Sequence, residues 1–264
     1  MAIWPHIRCS GIPDLTPWYR FLVAIRLPRS EPLCQALVDA IHAGEVERVK
    51  DLVTENQNLA SARLVDDKGG SGTPLHAVAD WPGYFPNGPQ IVSILIDAGS
   101  DPNIAVEGSW HSETPLHWAA SSDDVEVARA LIDGGANIEA TGASLGGGTP
   151  LDDAVGYGCW QVARLLVERG ARTDMGQAAA LGLMTRVEEL VAADPPTAEE
   201  LADAFWGACH GGQRRMAMYL LDLGADVNGT PSWGDSTPLD AANSPGTGRE
   251  ALVTWLREQG ATNA

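Results

Sequence analysis

The sequence predicts an all-α repeat fold, a solenoid of about seven helix-turn-helix units, from two recurring signals. The tripeptide Thr-Pro-Leu recurs at Thr73, Thr114, Thr149 and Thr237. A glycine that follows an apolar helical segment recurs at Gly99, Gly135, Gly170, Gly224 and Gly260. The two signals are 21 residues apart in both the third and the fourth unit (114 to 135 and 149 to 170). A fixed spacing of this kind indicates one structural unit that is repeated along the chain.

Each part of a unit has a local physical reason. Threonine can cap free N–H groups, and a proline at the first helical position has no N–H to satisfy, so Thr-Pro predicts the start of a short helix. A turn and a second helix follow, over residues 125–133 in the third unit and 160–169 in the fourth. The glycine can take a positive φ and ends the second helix. Neither helix buries its apolar face alone, so the core forms only when units stack.

The motifs resemble those of ankyrin repeats. Thr-Pro-Leu-His stands at 73–76 and at 114–117, and Gly-Ala-Asp-Val-Asn stands at 224–228. The resemblance covers about residues 31–264 and implies a curved stack whose concave groove binds a protein partner. The first unit (31–69) lacks the motif and is expected to be an N-terminal cap. The fifth (175–196) and sixth (197–229) have also lost it, and the seventh is expected to cap the C-terminus.

Charge and composition narrow the function. The formal net charge is -18 and the pI is near 4.5, which disfavours nucleic acid and anionic membranes and favours a protein partner with a basic surface. Four scattered cysteines without CxxC spacing indicate neither a zinc site nor a disulfide framework, and no apolar run approaches about 20 residues. We therefore expect a cytoplasmic protein. Two lysines against fifteen arginines is a bias common in GC-rich bacterial genomes.

Residues 1–30 differ from the rest of the chain. They carry four arginines and one acidic residue and show no repeat signal. We expect a non-repeat arm that is poorly ordered, or residues added by translation from an upstream start. The repeat domain is expected to span 31–264.

Polar residues inside the repeat motif have structural roles in the resembling family. The resemblance implies that His76 and His117 hydrogen-bond the motif threonine and neighbouring backbone. Asp152 and Asp240 stand at the same place in the fourth and seventh units, where the bonding pattern is left open. His117 and Asp152 are expected to be neighbours, either as a carboxylate-histidine pair or as part of a stabilising bond between repeats.

The candidate partner-binding residues are aromatic and polar side chains that the ankyrin register places on hairpin tips or at the ends of first helices. They are Trp81, Tyr84, Phe85, Trp110, His111, Tyr157, His210, Trp233 and Asp235. Exposed aromatics are enriched in binding hot spots. The alternative is that the loop tryptophans only pack between hairpins. Four helix-borne tryptophans, Trp118, Trp160, Trp206 and Trp255, are expected in the core.

A second hypothesis is a small-molecule or acid-base site in the same groove. Its candidate groups are His111, His210, Asp152, Asp153, Asp235 and Tyr157, because imidazole, carboxylate and phenol suffice for general acid-base chemistry. No nucleophile elbow, metal triad or cofactor motif accompanies them, and Gly146-Gly147-Gly148 lacks the Lys-Ser/Thr of a phosphate loop. We therefore assign no catalytic residue, no metal and no cofactor.

Overall fold

A computed structural model describes residues 25–244 and 249–264 of the chain. The helices of this part are α1 (Pro32–Ala43), α2 (Val46–Glu55), α3 (Pro74–Val78), α4 (Gly88–Asp97), α5 (Pro115–Ser121), α6 (Val125–Asp133), α7 (Pro150–Gly156), α8 (Trp160–Glu168), α9 (Met175–Ala180), α10 (Met184–Ala193), α11 (Ala198–His210), α12 (Arg214–Asp222), α13 (Pro238–Ala242) and α14 (Glu250–Glu258). None of them is long and apolar enough to cross a membrane. The predicted helical repeat architecture is confirmed. The number of repeats stays a prediction, because the fifth and sixth units lack the repeat motif.

The helices pack in two rows. In the first row α3 contacts α5 and α5 contacts α7, and in the second row α2, α4, α6 and α8 contact one another in order. The leucines that fill the space between the rows are fully buried: Leu75, Leu95, Leu116, Leu131, Leu151 and Leu166. Each stabilises the fold by about 1.5 to 3 kcal/mol through removal of apolar surface from water. The leucine of the Thr-Pro-Leu motif therefore serves the core, and the motif's threonine serves the helix end.

Reciprocal caps start the motif helices. At the start of α3, Thr73 N–H donates to His76 Nδ1 at 3.0 Å, and His76 Nε2 lies 3.2 Å from the carbonyl oxygen of Glu113 in the next unit. Burial lowers the pKa of His76 to about 3, so the ring is neutral and its Nε2–H donates to that carbonyl. His76 therefore hydrogen-bonds the motif threonine and neighbouring backbone, as the resemblance implies.

Aspartate fulfils the same capping role in the fourth unit. Asp152 Oδ2 accepts from Thr149 N–H at 2.6 Å, while Asp152 Oδ1 accepts from Gln177 Nε2 at 2.8 Å in the following unit. His117 Nε2 instead lies 3.5 Å from the carbonyl oxygen of Gly148. Of the two alternatives, Asp152 therefore makes the stabilising bond between repeats, with Gln177 as its partner.

The recurring glycines end the second helices as expected. Gly99, Gly135, Gly170, Gly224 and Gly260 have φ between +92° and +101°. This backbone conformation is sterically costly for residues with a Cβ. The glycine signal in the sequence is therefore a requirement of backbone geometry.

The fifth and sixth units keep helix caps without Thr-Pro-Leu. Asp174 accepts from Gln177 N–H at 2.7 Å, and Thr197 Oγ1 accepts from Glu200 N–H at 3.2 Å. Both are capping boxes of the D/T-x-x-Q/E type. Helices α9 and α11 then approach closely, since a Cβ on Gly207 would lie 2.7 Å from a backbone oxygen of α9.

A small sheet precedes the regular helical stack. Strand β1 (Arg26–Pro28) pairs in parallel with β2 (Arg63–Val65), which pairs antiparallel with β3 (Ser71–Gly72). Ile25 and Leu27 pack against the main core. The last residues of the predicted arm therefore join the first unit. The remainder of that arm, residues 1–24, lies outside the described residues.

Three of the four helix-borne tryptophans are less buried than expected. Trp255 is buried, whereas Trp118, Trp160 and Trp206 are half-buried. Trp118 packs edge-on against His76 with ring centroids 5.0 Å apart. Each of these three rings has one side in the fold and another side near solvent.

Candidate binding surface

Large aromatic side chains are exposed at the loops and ends of the first helices. Their exposed fractions are 82% for Trp81, 58% for Tyr84, 81% for Trp110, 52% for Tyr157 and 63% for Trp233. Trp81 and Tyr84 follow α3, Trp110 precedes α5, Tyr157 ends α7 and Trp233 precedes α13. We call these five residues the aromatic row. Of the other predicted site residues, Asp235 is exposed, and Phe85, His111 and His210 are half-buried.

The loop between α3 and α4 is fixed at both sides. Phe85 stacks on His42 of α1, with ring centroids 4.1 Å apart and planes at 14°. On the other side, Tyr84 N–H donates to Asp124 Oδ2 at 2.6 Å, and the Tyr84 hydroxyl donates to the carbonyl oxygen of Asp123. The loop therefore bridges the first and third units, and it presents Trp81 to solvent from a supported position.

A hydrogen-bond network joins the loops before α5 and α7. Trp110 packs edge-on against His111, and His111 Nδ1 lies 3.2 Å from Glu113 Oε2. Glu113 Oε1 accepts from Ser144 N–H at 2.8 Å, and Ser144 Oγ lies 3.0 Å from the Tyr157 hydroxyl. The structure thus connects three predicted site residues, Trp110, His111 and Tyr157, through Glu113 and Ser144. We call this group the hairpin network.

Asp153 lies beneath the hairpin network and is fully buried. Its Oδ1 lies 3.4 Å from Ser144 Oγ, and its Oδ2 has no hydrogen-bond partner among the described residues. Burial, together with the charge of Glu113, raises the pKa of Asp153 to about 7. Near neutral pH this carboxyl is therefore divided between its protonated and charged forms. A proton on Oδ2 makes that oxygen a donor and lowers the cost of burying it.

A second aromatic cluster surrounds Trp206 in α11. His210 stacks on Trp206 at 4.8 Å, and Trp233 meets the same ring edge-on at 4.6 Å. His210 Nε2 lies 2.9 Å from the carbonyl oxygen of Val155. Burial lowers the pKa of His210, so its neutral ring donates from Nε2. His210 therefore supports the tryptophan rings and leaves Trp233 as the exposed member.

Two groups of this surface were missed by sequence reasoning. Glu113 is buried, and Ser144 links three side chains of the hairpin network. A signal for Glu113 does exist, because the residue immediately before Thr-Pro-Leu is Gly72, Gly148 or Ser236 in the other motif units. An acidic residue at a position otherwise occupied by small residues indicates a special role. Ser144 carries no such signal.

The acid-base candidates do not converge on one cavity. Asp152 caps α7 and His210 is bonded to Val155, whereas His111 and Tyr157 belong to the hairpin network and Asp153 lies beneath it. Two concavities of the described surface lie elsewhere, one of about 370 Å³ between α4 and α6 and one of about 560 Å³ between α8 and α10. None of the nine predicted site residues lines either of them.

Comparisons with known proteins identify the repeat. Residues 84–177 match the family model for ankyrin repeats in three copies. The chain is 38% identical over 80 residues to protein fem-1 homolog A of Bos taurus, a match that covers 27% of this chain and 12% of that protein. It is 34% identical over 84 residues to the E3 ubiquitin-protein ligase KEG of Arabidopsis thaliana, covering 32% of this chain and 5% of that protein. The chain therefore spans only a small part of these relatives.

A solved structure supports the same fold. The crystal structure of the human ASB11 ankyrin repeat domain superposes with a TM-score of 0.51 and 18% sequence identity, covering 83% of this chain and 96% of that chain. At this identity the likeness concerns the fold alone.

Proposed function

The chain is an ankyrin-repeat protein, and on this premise we propose that it is a protein-protein interaction module that binds its partner through the aromatic row. The row includes predicted site residues in the second, third, fourth and seventh units, at the loops and ends of first helices. In the ankyrin arrangement these positions face the concave side of the stack. The concave face is accordingly the surface we assign to the partner.

The observation that carries this proposal is the exposure of five large aromatic side chains in structurally related places. Leaving a tryptophan in water forgoes about 2 to 3 kcal/mol that burial would supply. A partner that covers these rings recovers that free energy, and large aromatics are the residue type that most often dominates interfaces. Their supports, His42 behind Phe85 and His210 behind Trp206, hold the surface in place before binding. A preformed surface reduces the entropy cost of association.

The charge of the chain supports a partner with a basic surface. A formal net charge of -18 accelerates encounters with cationic surfaces and opposes encounters with phosphate backbones. Several carboxylates lie beside the aromatic row, among them Asp203, which accepts from Ser232 N–H at 2.7 Å next to Trp233. We expect the association rate to fall as the salt concentration rises.

The test is affinity capture with the whole chain immobilised, using a native lysate of the source organism. Loss of a large aromatic anchor costs about 2 kcal/mol, or roughly thirtyfold in affinity. We expect the double variant Trp110→Ala, Trp233→Ala to lose the captured protein. The matched control is Met218→Ala, because Met218 is a 47% exposed apolar side chain on α12, the second helix of the sixth unit.

The Met218→Ala control also shows which result would contradict the proposed binding surface. If Met218→Ala abolishes capture while the double tryptophan variant retains it, the partner binds the second-row helices and the proposal is wrong. Unfolding curves of both variants show whether each remains folded at the capture temperature. The alternative of a small-molecule or acid-base site in the groove is not favoured, because Asp152 and His210 are bonded to the scaffold and none of the candidate groups lines either of the two concavities.

A further inference from the structure

Carboxyl groups accompany the exposed aromatic rings in three successive units. Asp80 Oδ1 accepts from the backbone N–H of Trp81 at 2.8 Å. Glu113 is linked to Trp110 through His111, and Asp153 is linked to Tyr157 through Ser144. Each of the three units therefore offers an aromatic face with a carboxyl group close to it.

These carboxyl groups have no arginine or lysine partner in the described part of the chain. The arginine ion pairs found there are made with Glu107, Asp133, Glu139 and Glu189. Glu113 has only a histidine at ion-pair distance, and Asp153 Oδ2 is a fully buried acceptor without a hydrogen-bond partner. In the charged form of Asp153 this buried acceptor lacks a donor, which is uncommon in folded proteins. Since the groups around it are acidic, the donor that fits best is cationic.

An arginine side chain can interact with both the aromatic ring and the carboxyl group. Its planar guanidinium stacks on aromatic faces, and its forked N–H groups bind carboxylates in two places. A lysine ammonium is a compact, strongly hydrated point charge, so it gains less from an exposed indole. The pairing of an aromatic ring with a carboxyl group therefore favours arginine over lysine.

The spacing of the units sets the spacing of the arginines. The first helices α3, α5 and α7 pack side by side, and packed helix axes lie about 8 to 10 Å apart. A chain in the extended polyproline II conformation advances about 3.1 Å per residue with three residues per turn, so about three residues span one unit and bring the side chain back to the same face. We propose, resting on the binding function proposed above, that the second to fourth units bind an extended protein segment with an arginine at about every third residue.

The probe is a fluorescein-labelled peptide with three arginines, each separated by two residues drawn from serine and glycine. Two control peptides carry the same residues with the arginines adjacent, or lysines in place of the arginines. Fluorescence anisotropy with the full chain at about 0.15 M salt limits long-range attraction to about 8 Å. We expect the spaced arginine peptide to bind at least tenfold more tightly than either control.

Matched variants of the chain locate the site. Glu113→Gln retains the oxygen that accepts from Ser144 and removes the charge, so the loop stays bonded. We expect it to weaken binding of the spaced peptide about tenfold, and Trp110→Ala to do the same. Glu126→Gln is the control, since it makes the same charge change on second helix α6 of the same unit, where Glu126 is exposed. We expect it to change the Kd less than twofold.

Three results overturn the inference. They are equal affinity of spaced and adjacent arginines, equal effects of Glu113→Gln and Glu126→Gln, and no binding of any peptide. The binding function proposed above is judged separately, by whether the captured protein needs Trp110 and Trp233. A captured protein that needs both tryptophans and is not displaced by the spaced peptide leaves the binding function intact and rejects the arginine segment.

Discussion

Replacement of Asp153 by asparagine tests the electrostatics of the hairpin network. Asp153 is fully buried, and its pKa is raised from 3.8 to about 7 by burial and by the charge of Glu113. In the unfolded chain this carboxyl ionises near its ordinary pKa. The folded form therefore binds the proton more tightly, and the stability contributed by this group is fully present below about pH 3.8 and is lost as pH rises to about 7.

The magnitude follows from the size of the pKa shift. One unit corresponds to about 1.36 kcal/mol, so the full effect is at most about 4 kcal/mol. Between pH 5.5 and pH 8.5 the same linkage removes about 2 kcal/mol from the wild-type chain. Asparagine does not titrate, so Asp153→Asn loses none of this. The free energy of unfolding of the variant should therefore rise relative to wild type by about 2 kcal/mol across this interval.

Urea unfolding followed by tryptophan fluorescence measures the effect at pH 5.5, 6.5, 7.5 and 8.5. The amide adds a packing and hydrogen-bond cost of its own, but that cost is the same at every pH. Other titrating groups, such as His117 and His210, are common to both chains and cancel in the difference. Parallel stability profiles, with a constant difference over the whole range, would refute the assignment of a neutral Asp153 in the folded protein.

Three further predictions concern the scaffold. Leu116→Ala should lower the free energy of unfolding by about 2 to 5 kcal/mol in urea titrations, because Leu116 is fully buried and its loss leaves a cavity. Backbone hydrogen exchange should also become faster in the two adjacent units, because stacked units stabilise one another. A chain that begins at residue 31 should be less stable than one that begins at residue 25, by about 1 to 2 kcal/mol in the same assay, because it lacks β1 and the packing of Leu27. Gly135→Ala should cost about 1 to 2 kcal/mol in thermal or urea unfolding, since Gly135 has a φ of +94°.

The parts of the fold that were predictable depend on residues close together in the chain. A threonine cap, a proline at the first helical position and a terminal glycine act within a few residues of where they stand, so their pattern determines helix starts and ends. The aspartates at the histidine position preserve the cap, because a carboxylate oxygen accepts the same N–H. The helix starts at Asp174 and Thr197 were missed as motifs, yet they are local too, because each is followed three residues later by Gln or Glu.

The side-chain contacts of the candidate surface depend on residues in different units. Phe85 stacks on His42, and Ser144 meets Glu113, across separations that no short motif encodes. Exposure of the loop tryptophans was predictable from their place in the unit. The contacts that support these side chains were not predictable, because they depend on the relative positions of loops in different units. The burial of Asp153 depends on a nearer segment, since Ser144 of the hairpin just before its own helix contacts it.

Stability and binding are linked at Asp153. Its charged form is costly because the carboxyl group is buried, because Glu113 is close and because the described part of the chain supplies no arginine or lysine to either carboxyl group. A guanidinium placed beside these groups favours the charged form, so it lowers the pKa of Asp153 and releases part of a proton near neutral pH. Affinity for an arginine segment should then rise with pH between 6 and 8. The buried, unpaired charge of these carboxyl groups destabilises the free protein, and a cationic partner that pairs with it would offset that destabilisation.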